Sequence, residues 1–150
     1  MFMDLLSRLM GDTPTPIDSD DAELAIAALL VRVARADDHY DDDERKRIER
    51  VLSRRGLSAD QAATRRLQAE VLEAEASDTV RFTRQIKDRI ALEDRCDVLA
   101  GLWEVAYADT RRGQDEDSLI RLVAGLLGIP DRRSAQIRQQ VLRRMGLPPE

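Results

Sequence analysis

Apolar residues recur along this chain at spacings of three and four, the signature of helices that bury one face. Leu24, Ala27, Ala28, Val31 and Ala34 form one such stripe, Ile48, Val51 and Leu52 a second, Leu67, Val71 and Leu72 a third, and Phe82, Ile86 and Ile90 a fourth. Val98, Leu102 and Val105, with Trp103, mark a helix from about Asp94 to Ala108. Another runs from Gln114 to Leu127, and Ile137, Val141, Leu142 and Met145 mark the last. The boundaries carry their own signals. Asp20 with Glu23 and Ser58 with Gln61 have the spacing of reciprocal caps, Asp78 and Asp131 stand where a helix N-cap belongs, and Gly56 and Gly128 can take the left-handed conformation that ends a helix. The first stripe should stop near Asp37 and the second start around Asp42. Ahead of them, Phe2, Leu5, Leu6 and Leu9 share one face of a short helix that Gly11 and Thr13-Pro14-Thr15-Pro16 bring to an end. The pattern predicts an all-α compact bundle of about seven or eight helices. Residues 1–19 form an arm and linker, 20–147 the helical domain and 148–150 a tail.

One stretch occurs twice. Val33 to Leu57 aligns without a gap on Val105 to Ile129, sharing Val33/Val105, Ala34/Ala106, Ala36/Ala108, Asp37/Asp109, Asp43/Asp115, Glu44/Glu116, Ile48/Ile120, Val51/Val123 and Gly56/Gly128. Nine matches in twenty-five positions exceed the roughly one or two that average residue usage gives. A constant offset of seventy-two residues predicts two internally repeated helical units.

Composition narrows the function classes. At 150 residues the chain has the size of one domain, and its scarce aromatics, few Gly and Pro, and abundant Ala, Leu and Arg suit helices. A formal net charge of −5 disfavours nonspecific binding to nucleic acid or to an anionic membrane and suits cations and basic partners. Arg45, Lys46, Arg47, Arg50, Arg54 and Arg55 crowd one helix and Arg132, Arg133, Arg138, Arg143 and Arg144 another. With the net acidity, the interspersed Glu49 and no aromatics for base stacking, these faces read as solvated or as docking surfaces for an acidic protein rather than for nucleic acid. Cys96 is alone, so the chain has no internal disulfide and the expected compartment is the cytoplasm. Residues 1–10 are too short to span a bilayer and lack a basic leader. They suit the domain surface, a partner, or peripheral contact with a membrane.

The repeated segments centre on acidic joints between helices. The first, Asp37-Asp38-His39-Tyr40-Asp41-Asp42-Asp43-Glu44, packs six carboxylates into eight residues; the second runs from Asp109 through Asp115, Glu116 and Asp117. A tight turn brings Asp37 towards Glu44 and Asp109 towards Glu116, and oxygen ligands so gathered suit a hard divalent cation, Ca²⁺ or Mg²⁺. The plainer reading is that Asp41 and Glu44 are a capping box favoured by the helix dipole. That accounts less well for Asp37 and Asp109, which sit at the unfavourable C-terminal end of a helix unless a cation or a basic side chain such as Arg35, Arg111 or Arg112 compensates. The joints are not EF-hands, because the twelfth position counted from Asp37 is Ile48 and the sixth is Asp42.

The Val-Ala-x-Ala-Asp motif followed seven residues later by Glu, present twice in a helical chain, resembles the tellurite-resistance protein TerB family and its TerB-like relatives over about Asp21 to Leu147. The resemblance implies a compact helical bundle with twofold pseudo-symmetry, a place in stress or metal-ion response, and cation sites at Asp37, Asp41, Asp43 and Glu44 and at Asp109, Asp115 and Glu116. The family usually has Gly after the motif Asp, where this chain has Asp38 and Thr110, so a turn that needs positive φ would be strained, at least at Thr110.

Nothing in the sequence supplies catalytic machinery. There is no Gly-rich phosphate loop, no His pair and no second Cys, so Cys96 reads as a small buried residue, His39 as a solvated turn residue and Trp103 as core. The expected function is non-enzymatic: binding of divalent cations at the joints and of a protein partner. The alternative is a structural interaction adaptor whose acidic joints are only helix caps.

Overall fold

A computed structural model describes residues 19–36, 38–75, 78–108 and 114–150. Seven α-helices and no strand are present among the described residues: α1 (Ser19–Arg35), α2 (Asp42–Arg54), α3 (Ala59–Glu75), α4 (Thr79–Arg89), α5 (Leu92–Tyr107), α6 (Gln114–Leu126) and α7 (Asp131–Arg144). The arm at Met1–Met10 and its Pro-containing linker lie outside the described residues.

Two helices form the centre. Every residue of α1 from Ala25 to Val31 is buried, as is every residue of α5 from Gly101 to Tyr107, the condition of helices covered on all sides. α1 carries α2, α3 and α4 and lies against α5, while α5 carries α6 and α7. The core they share includes Ile26, Leu30, Ile48, Phe82, Leu102, Trp103 and Ile120. Gly101 lets α5 approach α2 closely, since a Cβ at that position would come within 2.9 Å of a Val51 methyl carbon.

The element bounds fall at the offset seen in the sequence. α2 and α6 begin seventy-two positions apart, as do α3 and α7, and α1 and α5 end seventy-two positions apart. Gly56 and Gly128 close α2 and α6 with φ of 106° and 74°. Packing partners recur too: α2 touches α5 while α6 touches α1.

Three expectations need correction. Leu67 and Val71 are 55% and 59% exposed, and α3 buries Ala62 and Ala69 instead, with Leu72 partly covered. The reason is a polar interface. Arg32 Nε donates to Glu73 at 3.1 Å, Arg35 Nη1 reaches Glu73 at 2.9 Å and the Glu70 carbonyl at 3.2 Å, and small alanines let the helices close around these pairs. Second, α1 already includes Ser19, and Glu23 is not a cap: its carboxylate takes Arg55 in a two-pronged bond, 2.8 Å on each side. Third, Asp131 is the first residue within α7, and the cap position is Pro130, which makes no side-chain cap bond. The caps at Ser58–Gln61 and Asp78 form as expected, with Ser58 N–H donating to Gln61 at 2.9 Å and Val80 N–H to Asp78 at 2.9 Å.

Candidate metal-binding joints

The first joint is the loop from α1 to α2. α1 unwinds through Ala36, whose N–H still reaches Val33 O at 3.2 Å, and Asp38 turns the chain with φ of +64°. A short polar residue tolerates this left-handed conformation better than most, though at a cost glycine avoids. Asp38 and His39 are exposed. Tyr40 then points back into the bundle with its ring between two guanidinium groups, Arg35 at 5.0 Å and Arg45 at 4.6 Å from the centroid. Its hydroxyl donates to Glu70 Oε2 at 2.5 Å, an oxygen that also accepts from Arg66 Nη1 at 2.5 Å. Burial first, and then the Glu70 carboxylate, hold the Tyr40 hydroxyl well above its ordinary pKa. Burial works against the charge on Arg66, but its bonds to Glu49 and Glu70 outweigh this and keep it firmly protonated.

α2 opens on Asp41. Glu44 N–H donates to Asp41 Oδ1 at 3.2 Å, and Asp41 N–H donates to Glu44 Oε1 at 3.4 Å, completing a capping box. Asp41, Asp42 and Asp43 are exposed, whereas Glu44 is 0% exposed. Of the first-joint candidates, then, the fold joins Asp41 to Glu44 directly and leaves Asp43 facing solvent. Asp37 lies outside the described residues.

In the second joint, Asp109, Thr110, Arg111 and Arg112 lie outside the described residues, as does the side chain of Asp115. Glu116 is the third residue of α6, as Glu44 is of α2, and it too is 0% exposed. Beside it Asp117 lies 3.8 Å from Arg138 of α7. Arg138 donates through Nε to the Tyr107 hydroxyl at 2.8 Å, pairs with Glu150 from the tail, and stacks 4.9 Å from the Trp103 ring centroid. Trp103 and Tyr107 stack with centroids 5.8 Å apart.

Sequence reasoning did not find the groups that fasten each joint: Tyr40, Arg66 and Glu70 in one, Tyr107, Arg138 and Glu150 in the other. A signal was there. Arg66 and Arg138 stand at the same offset of seventy-two, just past the window in which the two stretches align. Cys96 and Trp103 are buried, as expected of core residues.

Among the described residues no three His, Cys, Asp or Glu side chains converge as a metal-ligand group. No described helix is long and apolar enough to cross a membrane. No curated protein and no solved structure matches the chain. A family match does cover most of it, the tellurite resistance protein TerB family over residues 23–139, which takes in α2 to α6 whole, nearly all of α1 and the first part of α7. With both acidic joints inside that match, the chain belongs to the TerB family.

Proposed function

We propose that this TerB-family chain is a non-catalytic cytoplasmic binding module whose two acidic joints take hard divalent cations, Ca²⁺ or Mg²⁺, and whose output is a protein partner in a stress or metal-ion response. One observation carries the reading: a fully buried glutamate occupies the third position of both α2 and α6. Fully buried carboxylates are uncommon, and the recurrence of one at the same place in both joints singles out these two positions. In the first joint that buried carboxylate lies within one turn of the exposed Asp41, Asp42 and Asp43, so acceptor oxygens gather at the mouth of the joint. A donor set of carboxylate oxygens fits Ca²⁺ or Mg²⁺ and not a soft metal. Asp37, Asp41, Asp43 and Glu44 would hold one ion, and Asp109, Asp115 and Glu116 the other. The matched helix bounds support treating the halves as copies of one unit, so an ion that ties Asp37 to Glu44, or Asp109 to Glu116, sets the angle between successive helices and with it a partner surface. Tellurite is an anion and does not suit these joints; a resistance role is indirect.

The capping box favours a second reading, a structural adaptor in which Glu44 is a cap and nothing more. Glu44→Gln separates the two, because glutamine preserves a capping box but removes the charge. Titration calorimetry of chelator-treated protein with Ca²⁺, Mg²⁺, Mn²⁺ and Zn²⁺ should give one or two saturable sites and a higher melting temperature with the bound ion. Glu44→Gln and Glu116→Gln should each remove one site from a folded protein. If no ion binds the folded wild type, the cation reading fails and the adaptor stands.

A further inference from the structure

A groove of about 380 Å³ lies between α2 and α7 beside α5, lined by Arg47, Arg54, Glu104, Val141, Arg144 and Met145. Val141 is buried and Met145 half-buried, so charge dominates its surface. Glu104, itself buried, takes Arg47 at 3.1 Å and also holds Arg54. One carboxylate fixes both guanidinium groups in place but neutralises only one of them. Arg144 is exposed and makes no ion pair among the described residues, so three cations line a groove that holds a single anion. The positive charge continues outward from there. Lys46, Arg50 and Arg54 are exposed at intervals of four along α2, a strip about 12 Å long. Neither Lys46 nor Arg50 makes an ion pair among the described residues. The helical framework does not demand such a face, because α6 places Leu119, Leu122 and Leu126 at the positions matched to Arg47, Arg50 and Arg54.

We infer that this strip and groove are the docking surface for a short acidic segment of a partner protein, an inference that rests on the partner reading above. Lys46, Arg50 and Arg144 offer charge that the chain itself leaves unmatched, and carboxylates from outside complement it. The borders of the patch set the length of the segment. Asp41, Asp42 and Asp43 are exposed before its N-terminal end, and the exposed Asp94 and Asp97 share the wall of the neighbouring cleft with Arg54 and Arg144. A long polyanion continuing past either border meets these carboxylates and is repelled, whereas a segment with roughly three carboxylates over about 12 Å stays between them. Nucleic acid also lacks a stacking platform here. Phe82, Trp103 and Tyr107 are buried, and Tyr40 is held in the first joint between Arg35 and Arg45.

The test titrates a fluorescein-labelled Glu-Ala peptide into the full chain by anisotropy, once with chelator and once with Ca²⁺. Binding should saturate and should weaken as salt rises, with amide shifts concentrated in residues 46–54 and 141–147. Arg50→Glu combined with Arg144→Glu changes exposed residues that hold nothing in the bundle, and it should lower affinity by about tenfold or more. Arg84→Glu combined with Arg121→Glu makes the same change of charge on exposed residues of α4 and α6, and it should alter affinity by less than about threefold. Equal losses from the two pairs would reduce the binding to net charge and overturn the inference. So would a wild type that binds no peptide in either condition, or one that binds single-stranded DNA of matched charge more tightly than the peptide. Binding that ignores Ca²⁺ keeps the surface and removes only its control by cations; ion sites found by calorimetry without peptide binding remove the surface alone.

Discussion

Arg66 of α3 and Arg138 of α7 occupy matched positions, but the first is held by Glu49 and Glu70 from within the bundle, whereas the second meets Tyr107, Asp117 and, from the tail, Glu150. Each arginine has a tyrosine as neighbour, and the tyrosines differ in place. Tyr40 is a loop residue, so its network fastens the first joint's loop directly onto α3. Tyr107 closes α5, so its network fastens helix ends to one another and to the tail. At a second matched pair the charge itself is reversed: Arg32 bonds Glu73, while Glu104 takes Arg47 and Arg54. One helical framework thus supports two unrelated sets of polar fastenings. Backbone bounds recur between the halves where the side-chain chemistry does not, so polar fastenings can differ without a change of helical framework.

The comparison is broken most severely in the core. Trp103→Ala should destabilise the protein by about 3–5 kcal/mol in urea unfolding, while Val31→Ala at the matched position of α1 should cost about 2 kcal/mol. Equal losses would mean that the halves share their core burden evenly. Tyr40→Phe should cost about 1.5 kcal/mol, the scale of a hydrogen bond to a charged group, and more than Tyr107→Phe. Its pH dependence has a definite sign. The folded protein holds the Tyr40 proton tightly, whereas the unfolded chain releases it near pH 10, as an ordinary tyrosine does. The stabilisation is therefore complete below about pH 10 and declines as pH rises beyond it. Melts of wild type and Tyr40→Phe should converge in strong alkali, and parallel curves would refute the assignment. Asp38→Gly should raise stability by up to about 1 kcal/mol by relieving the left-handed turn; a loss would show that the Asp38 side chain contributes more than its backbone costs. The smallest effect belongs to the tail, where Glu150→Ala should cost about 0.5 kcal/mol or less in the same unfolding assay. A larger loss would make the tail an integral part of the second half.

The helices were legible because their signals are local. Gly56, Ser58 with Gln61, and Asp78 act within one turn of themselves, and spacing alone reveals them. Burial of Ile48, Val51, Phe82 and Ile86 followed from periodicity for the same reason. Leu67 and Val71 misled because α3 buries its polar side, and a pattern of apolar residues cannot reveal that Arg32 and Arg35 of α1 lie opposite. Glu23 had cap spacing, but a guanidinium thirty-two residues away claimed it. At the joints, repetition singled out Glu44 and Glu116 as a matched pair without any knowledge of contacts, and both prove to be buried. The Tyr40–Glu70 and Tyr107–Arg138 bonds join residues thirty or more positions apart and left no spacing to read.

The aromatic placement also equips the chain to report on itself. It has one tryptophan and two tyrosines: Trp103 is buried in the second half with Tyr107 as its stacking neighbour, and Tyr40 is alone in the first. Trp103 emission, quenched or shifted by anything that moves Arg138, follows one half, and in a Tyr107→Phe chain the tyrosine absorbance comes from Tyr40 alone, between its two guanidinium groups, and follows the other. Two optical traces recorded in a single denaturation then say whether the halves melt together or in sequence, with no dye, label or added cysteine.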